Sequence, residues 1–409
     1  MARYILGVDW ADQSHEICVV DEQGERIKEQ TLTNTVDSFS AFGRWLYECT
    51  ADGLELWAAI EKPEGRIIDF LLDHGVLVYP INPKSLDRAR DRFRVSRSKS
   101  DAFDAWVLAQ FLRTDHAHLS PLCPNSPPAA ELKLLTRDYQ KLVQQKTRWI
   151  NQLKATLKEY YPRPLELFEL ITCPTALDFL QRYPTPEKAQ RLTKKQWRTF
   201  AQKHRWNAGH LEQVWQILRQ PQLPIAAHVV RAKARLMIHL VDQLRLQVHA
   251  IEDYKRAIEQ MFAALPAATW AQSLPGGKSG TTLPTLWAEL GDAVGRWHSF
   301  RHLQAQAGTT PVTRTSGKFK QVHFRFACNK VMRYAINWMA QLSLQHCEWA
   351  KVYYDRQRAR GHSHQQAIRV LGAKWLKIIF TMWRDHVSYD ETFHLANIAR
   401  QEMRQAILA

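Results

Sequence analysis

Three strand patterns precede the first helix pattern in this chain, and that order limits the fold more than any other feature. Tyr4–Trp10 is a short apolar run that reaches an acid at Asp9. His15–Asp21 and Glu25–Leu32 alternate apolar with polar residues, and Asp21-Glu22-Gln23-Gly24 supplies the turn between them. Val36–Cys49 then changes to helical spacing, with Phe39, Phe42, Trp45, Leu46 and Cys49 on one face. Leu54–Ile60 and Val76–Ile81 read as strands, Gly65–His74 and Ser100–Arg113 as helices, the last with Ser100 as its N-cap. Adjacent strands without a helix between them must be antiparallel. Strands separated by a helix are free to run parallel through a crossover. The expectation for the first part of the chain is therefore a mixed α/β domain built on a meander.

The rest of the chain is patterned differently. Pro121, Pro124, Pro127 and Pro128 mark a linker, and a long helix is expected from about residue 129 to 161. Seven prolines break residues 162–225 into a small helical insert. From residue 226 to 265, Met237, Val241, Leu244, Val248, Ile251, Ile258, Phe262 and Leu265 recur at steps of three, four or seven, broken only at Lys255. Two long helices around an insert suggest an antiparallel coiled-coil arm. Its seam could close within one chain, but packing against a second subunit is slightly favoured. Residues 266–409 look mostly helical, with a Gly-rich opening at 274–280 and a polar, basic loop near 314–320. The division expected is 1–122, an α/β domain; 123–265, the arm with its insert at 162–225; and 266–409, a C-terminal domain.

Charge separates the same regions. Of 409 residues, 56 are Lys or Arg and 40 Asp or Glu, a formal net charge of +16. Residues 1–122 hold 14 basic and 20 acidic side chains, whereas the other two segments are strongly basic. The excess points to a polyanion, nucleic acid before an acidic membrane surface. No apolar run approaches the roughly 18 residues of a membrane span, and the N-terminus lacks the pattern of a signal peptide, so a cytoplasmic protein is expected. The six cysteines are scattered without a CxxC pair and read as reduced thiols. Gly277-Lys278-Ser279 imitates a phosphate-binding loop, but position 272 is Gln and no strand precedes it. A turn offering N–H groups to DNA phosphate fits better there. Trp197 and Trp206 lie in a basic stretch that either stacks on unpaired bases or anchors the insert.

Four acids of the first domain stand where this strand order would gather them. Asp9 closes the first strand, Glu61 follows Leu54–Ile60, and Asp101 and Asp104 share the first turn of a helix. Asp101 and Asp104 alone are ordinary N-terminal acids of a helix. With Asp9 and Glu61 they compose an all-oxygen donor set suited to Mg²⁺ or Mn²⁺. Two such ions serve phosphodiester chemistry. The basic run from Lys84 to Lys99, with Arg88, Arg90, Arg92, Arg94 and Arg97, is expected to contact a nucleic-acid backbone.

The segments Gly7-Val8-Asp9-Trp10-Ala11, Ala59-Ile60-Glu61-Lys62-Pro63 and Ser98–Ala105 resemble the Asp-Glu-Asp-Asp motifs of insertion-sequence transposases with a RuvC-like domain, the group that includes Piv-type DNA invertases. Residues 308–333 resemble the second signature of that group: Gly308 and Pro311, then Ser316-Gly317-Lys318, then Asn329 and Arg333. The resemblance implies an RNase H-like catalytic domain, with Asp9, Glu61, Asp101 and Asp104 as ligands of Mg²⁺. It also implies Ser316 as a nucleophile toward a DNA phosphate. Arg314, Lys318, Lys320, Arg325 and Arg333 surround that serine in sequence and could hold phosphates, and His323 is a less favoured proton acceptor. The implied partners are donor and target DNA, a noncoding bridge RNA and further copies of the chain, as a dimer or tetramer. The long arm between the acids and the serine suggests an active site completed between domains or subunits. Two other functions fit the residues less well. One is a RuvC-like, structure-specific endonuclease that uses metal-activated water. The other is a nucleic-acid binder without catalysis.

Overall fold

The computed structural model describes residues 2–93, 100–206, 208–275, 280–293, 295–317 and 319–408, which divide into two compact units, 1–124 and 125–409. In the first unit, β1 (Arg3–Trp10), β2 (Ser14–Val20) and β3 (Arg26–Thr33) precede α1 (Val36–Ala51). Then follow β4 (Glu55–Ile60), α2 (Arg66–Asp73), β5 (Leu77–Pro80), α3 (Pro83–Phe93) and α4 (Asp101–Asp115). The five strands form one sheet in the order β3-β2-β1-β4-β5. As the strand spacing requires, β1–β2 and β2–β3 are antiparallel, and β1–β4 and β4–β5 are parallel.

Strand alternation sorts the side chains between two apolar layers. Leu6, Val8, Ala58 and Ile60 face α1 and α2, meeting Phe42, Leu46, Ile67 and Leu71. Ile5, Trp57 and Ala59 face the other way, toward Leu86 and Ala89 of α3 and Phe103, Ala105, Val107 and Leu108 of α4. Gly7 shares that second face. A Cβ there would stand 1.8 Å from the Ala105 carbonyl oxygen and 2.6 Å from the Ala109 nitrogen, so only glycine lets α4 lie this close to β1. Helix α3 was not apparent from the sequence: its dense charge obscures the two small apolar positions, Leu86 and Ala89, that dock it.

In the second unit, α5 (Pro127–Tyr160) and α11 (Ala227–Ala263) are the long pair. Between them run α6 (Arg163–Leu167), α7 (Pro174–Arg182), α8 (Pro186–Gln190), α9 (Lys194–Lys203) and α10 (Ala208–Arg219). After them come α12 (Ala268–Ala271), α13 (Thr282–Leu290), α14 (Phe300–Gln306), β6 (Val312–Ser316) and β7 (Phe319–His323). The chain ends in α15 (Lys330–His346), α16 (Glu348–Ala359), α17 (His364–Asp385) and α18 (Glu391–Leu408). Leu132 near the start of α5 shares a core with Ile258 and Phe262 at the end of α11, while Leu153 and Leu157 pack with Met237, Leu240, Val241 and Leu244. The two helices are therefore antiparallel, and Gln247 near the middle donates to the Leu142 carbonyl at 2.7 Å.

This corrects the preference for a second subunit along the arm. The apolar seam of α11 closes on α5 of its own chain, because the insert returns the chain far enough to make that the shorter route. The insert has its own core. Trp197 is fully buried, donates to the Leu211 carbonyl at 3.1 Å and meets Phe179 and Trp206 edge-on, so it anchors the insert and offers no face to a base. At the other end of the arm, α13, α15 and α17 supply a second, tryptophan-rich core in which Trp375 donates to Ser343 Oγ at 2.9 Å. The polar loop expected near residues 314–320 is an antiparallel hairpin, β6–β7, with Ser316 opposite Phe319. Among the described residues, no helix is long and apolar enough to cross a membrane.

Candidate active site

The acidic site begins with the register of two parallel strands. Val8 of β1 stands opposite Ile60 of β4, so Asp9 and Glu61 are the next residues on adjacent strands at one edge of the sheet. Alternation from Gly7 and Ala59 gives both positions the α4 side. Helix α4 begins at that edge. Ser100 caps it by accepting from the Phe103 N–H at 3.3 Å, which sets Asp101 and Asp104 in its first turn. Asp104 is only 6 % exposed, packed by the same close approach that Gly7 permits.

The electrostatics join the four carboxylates. Asp9 is pushed up to about 6, first by burial and then by the negative charge of Asp104 and Asp101, with a smaller push from Glu61. Arg90 opposes this rise. Its guanidinium reaches from α3 to Asp104 through a two-pronged bond, Nε to Oδ1 at 2.6 Å and Nη2 to Oδ2 at 2.7 Å, and also pairs with Asp87 at 2.6 Å. Both oxygens of Asp104 are thus taken by a cation of the chain itself. Among the described residues, no three acidic, histidine or cysteine side chains stand together in a ready metal-ligating cluster. Next to Glu61, Lys62 lies over the Trp10 ring, 3.5 Å from its centroid. The donor set is of the kind that binds a hard cation, and the repulsion raising Asp9 is what such a cation relieves.

The basic run on α3 therefore divides by face. Arg88 and Arg92 point to solvent, whereas Arg90 is half-buried on the acids. Arg94 and Arg97 lie outside the described residues. Sequence reasoning grouped all five as backbone contacts, because charge density does not reveal which arginine the helix turns inward.

The serine site in the second unit has a different construction. Ser316, Arg314 and most of β6 are exposed, and among the described residues nothing is hydrogen-bonded to the Ser316 hydroxyl. His323 pairs in register with Val312 at the opposite end of the hairpin and is bonded to Gln321 at 3.0 Å. Arg325 is tied to the Thr310 carbonyl at 3.2 Å. Lys318, the side chain of Lys320 and the Gly-rich residues 276–279 lie outside the described residues. Behind the hairpin, Asn329 caps α15 by accepting from the Met332 N–H at 3.0 Å and donates to Glu289 at 2.6 Å. Glu289 is 1 % exposed and also accepts from Arg137 Nε at 2.9 Å. Asn329 of the second signature thus fixes α15 to α13 and α5. The partners Glu289 and Arg137 are distant in sequence and carried no signal there.

Two family models match the chain. A model described as a transposase, with an Asp-Glu-Asp-Asp domain of the IS110 type, covers residues 6–162. A model of the IS116/IS110/IS902 transposase family covers residues 269–355. An IS117 mini-circle protein of Streptomyces coelicolor, named for transposition, is 32 % identical over 396 residues, 94 % of this chain and 95 % of its own length. The chain belongs to the IS110/IS116 family of insertion-sequence transposases. A 42 kDa protein of the insertion element IS900 from Mycobacterium paratuberculosis is 27 % identical over 395 residues, covering 94 % of this chain and 96 % of its own length. The first model spans all four acids, and the second spans the hairpin with Ser316 and α15 with Arg333. As a transposase the chain is a DNA-cleaving and rejoining enzyme.

Proposed function

We propose that this transposase cuts and rejoins DNA through a phosphoserine link, with Ser316 as nucleophile and Asp9, Glu61, Asp101 and Asp104 as the holders of Mg²⁺ or Mn²⁺. The observation that carries the reading is that Asp9 and Glu61 follow paired residues of β1 and β4 with Asp101 and Asp104 in the first turn of the helix packed on them, so that burial and then the charges of the other three raise Asp9. The strand order, an antiparallel three-strand meander continued by two parallel strands, supports an RNase H-like, RuvC-type domain. A divalent ion bound there would neutralise phosphate charge and favour ionisation of an attacking hydroxyl. Arg90 holds Asp104 in place beside the other acids through its two-pronged bond. In the chemical step, the Ser316 oxygen forms a bond to phosphorus and the strand's own P–O bond breaks. The serine proton passes to solvent or a general base, and the departing oxygen takes a proton. The phosphoserine keeps the bond energy that rejoining needs, which hydrolysis would lose.

Arg88, Arg92, Arg314 and Arg325 hold nucleic-acid phosphates in this reading, with Arg94, Arg97, Lys318 and Lys320 as further members. A noncoding guide RNA and assembly as a dimer or tetramer complete it, since rejoining involves more than one DNA end. The deciding experiment is adduct trapping with DNA that carries the ends of the element. Wild-type protein is expected to leave a covalent protein–DNA band on a denaturing gel, and Ser316→Ala to leave neither band nor cut. The alternative, a structure-specific endonuclease using activated water, predicts that Ser316→Ala still cuts and that no adduct forms.

A further inference from the structure

Behind the serine hairpin, two arginines from different helices meet on one aromatic ring. Arg333 of α15 places its Cζ 4.6 Å from the centroid of Phe324, and Arg369 of α17 places its own 4.4 Å from the same centroid. Both side chains are half-buried, and among the described residues neither has a carboxylate partner. The arrangement costs stability. Burial and the positive charge of Arg333 both pull Arg369 below the ordinary arginine range. Arg333 also sits in the first turn of α15, the end of a helix that disfavours a cation. It is held in place all the same. One N–H donates to the Arg325 carbonyl, and the side chain crosses Gly308, whose positive φ of 64° and missing Cβ leave room for it. Its Nε remains buried without a hydrogen-bond acceptor among the described residues.

Two guanidinium groups that share one ring and feel each other's charge, one of them with a donor that has no acceptor among the described residues, attract an anion. Guanidinium forks match the oxygens of a phosphate group in shape and charge. We propose that Arg333 and Arg369, seated on Phe324, form a clamp for one backbone phosphate of the DNA duplex engaged by the β6–β7 hairpin. DNA is the occupant because the clamp follows directly from the strand pair that presents Ser316; the inference therefore rests on the recombinase reading above.

The test replaces Arg369, which makes no hydrogen bond to the fold among the described residues. Binding of a 30-base-pair duplex DNA of arbitrary sequence is followed by fluorescence anisotropy between about 50 and 300 mM KCl, beside a 30-nucleotide single-stranded RNA, as charge contacts dictate salt dependence. Arg369→Gln is expected to bind duplex DNA more weakly and to lower the slope of log affinity against log salt by about one. Arg384→Gln, an equal loss of charge on the exposed end of α17, should leave the slope unchanged. The thermal midpoint of Arg369→Gln should equal or exceed that of wild type, because a repulsion has been removed. A falling midpoint with an unchanged slope would mark Arg369 as structural and overturn the clamp. A slope change confined to RNA would overturn the assignment to DNA. If the wild-type protein itself fails to bind duplex DNA, the recombinase reading falls with the clamp; if it binds and Arg369→Gln matches it, the clamp alone falls.

Discussion

The acidic edge of the first unit and the serine hairpin of the second, the two proposed sites of chemistry, are built in opposite ways. The acids grow out of a core: a parallel strand pair sets Asp9 beside Glu61, and a helix pressed onto Gly7 brings in Asp101 and Asp104. Their charges repel before any substrate arrives, and Arg90 offsets part of that repulsion. Ser316 stands on an exposed two-stranded ribbon that contributes little to any core. What is rigid and electrostatically loaded suits the binding of a cation; what is exposed suits approach to a long polymer. Change at the acids should therefore disturb folding as well as chemistry, whereas change at the serine should disturb chemistry alone.

The largest expected effect tests the serine side. Ser316→Ala should lower strand cleavage by about 10³-fold or more, since the proposed nucleophile has been removed. Its unfolding free energy should stay within about 0.5 kcal/mol of wild type, the usual range for an exposed position. A chemical denaturation curve measured beside the cleavage assay checks both halves. A large loss of stability would erase the contrast between the two regions.

Gly7→Val tests the acid side without touching an acid. The new side chain meets the backbone of α4, with the Cβ position only 1.8 Å from the Ala105 oxygen. Overpacking against backbone should cost about 3 kcal/mol or more. Cleavage should fall because α4 carries Asp101 and Asp104 away from β1. Urea unfolding of the variant reports the first effect; a wild-type curve would mean that the close approach does not hold the site.

Arg90→Gln sharpens the comparison within the acids. Removing one partner of a largely buried pair should cost about 3 kcal/mol without divalent cations. Asp104 then loses the cation that pairs with it among the described residues, so added Mg²⁺ should raise the melting temperature of this variant more than that of wild type. Differential scanning fluorimetry with and without Mg²⁺ measures it. Equal Mg²⁺ shifts in the two proteins would show that Arg90 and the metal do not share Asp104.

The smallest effect is a pH dependence. Asp9 has its carboxyl raised from 3.8 to about 6 in the folded chain. The folded state therefore holds that proton more tightly than the unfolded one, and the stabilisation is complete below about pH 4 and lost as pH rises through 6. Asp9→Asn does not titrate. It should gain on wild type across that window by about 1–2 kcal/mol, the roughly 3 kcal/mol of a two-unit shift reduced by solvent screening of a half-buried group, and hold the gain above it. Unfolding at pH 4, 5, 6 and 7 without divalent ions traces the difference, and a gap that does not change with pH would remove the repulsion from the account.

Much of the first unit was legible from residues alone. Strand alternation, the turn at 21–24, the cap at Ser100 and the acids at strand ends are local signals, written within a few residues of the structure they produce. The order of strands and helices followed, and with it the sheet edge where Asp9 and Glu61 meet. The helical arm was legible for the same reason, since its apolar steps repeat with the period of a helix.

Other features depended on which distant surfaces meet. Nothing near Arg90 distinguishes it from Arg88 or Arg92; the docking of α3 by Leu86 and Ala89 turns it onto Asp104. The seam of α11 specifies an apolar partner but not whose, and only the returning insert supplies α5. The pairing of Arg333 with Arg369, and of Glu289 with Arg137 and Asn329, joins helices far apart in sequence. By itself the sequence determined the sheet strands, the long helices, their order and the chemical types at the two sites, though not α3 or the β6–β7 hairpin, because period, caps and turns act over short range. The tertiary structure alone decided which charges are neighbours, because burial and electrostatic coupling depend on distances that the whole fold must first bring about.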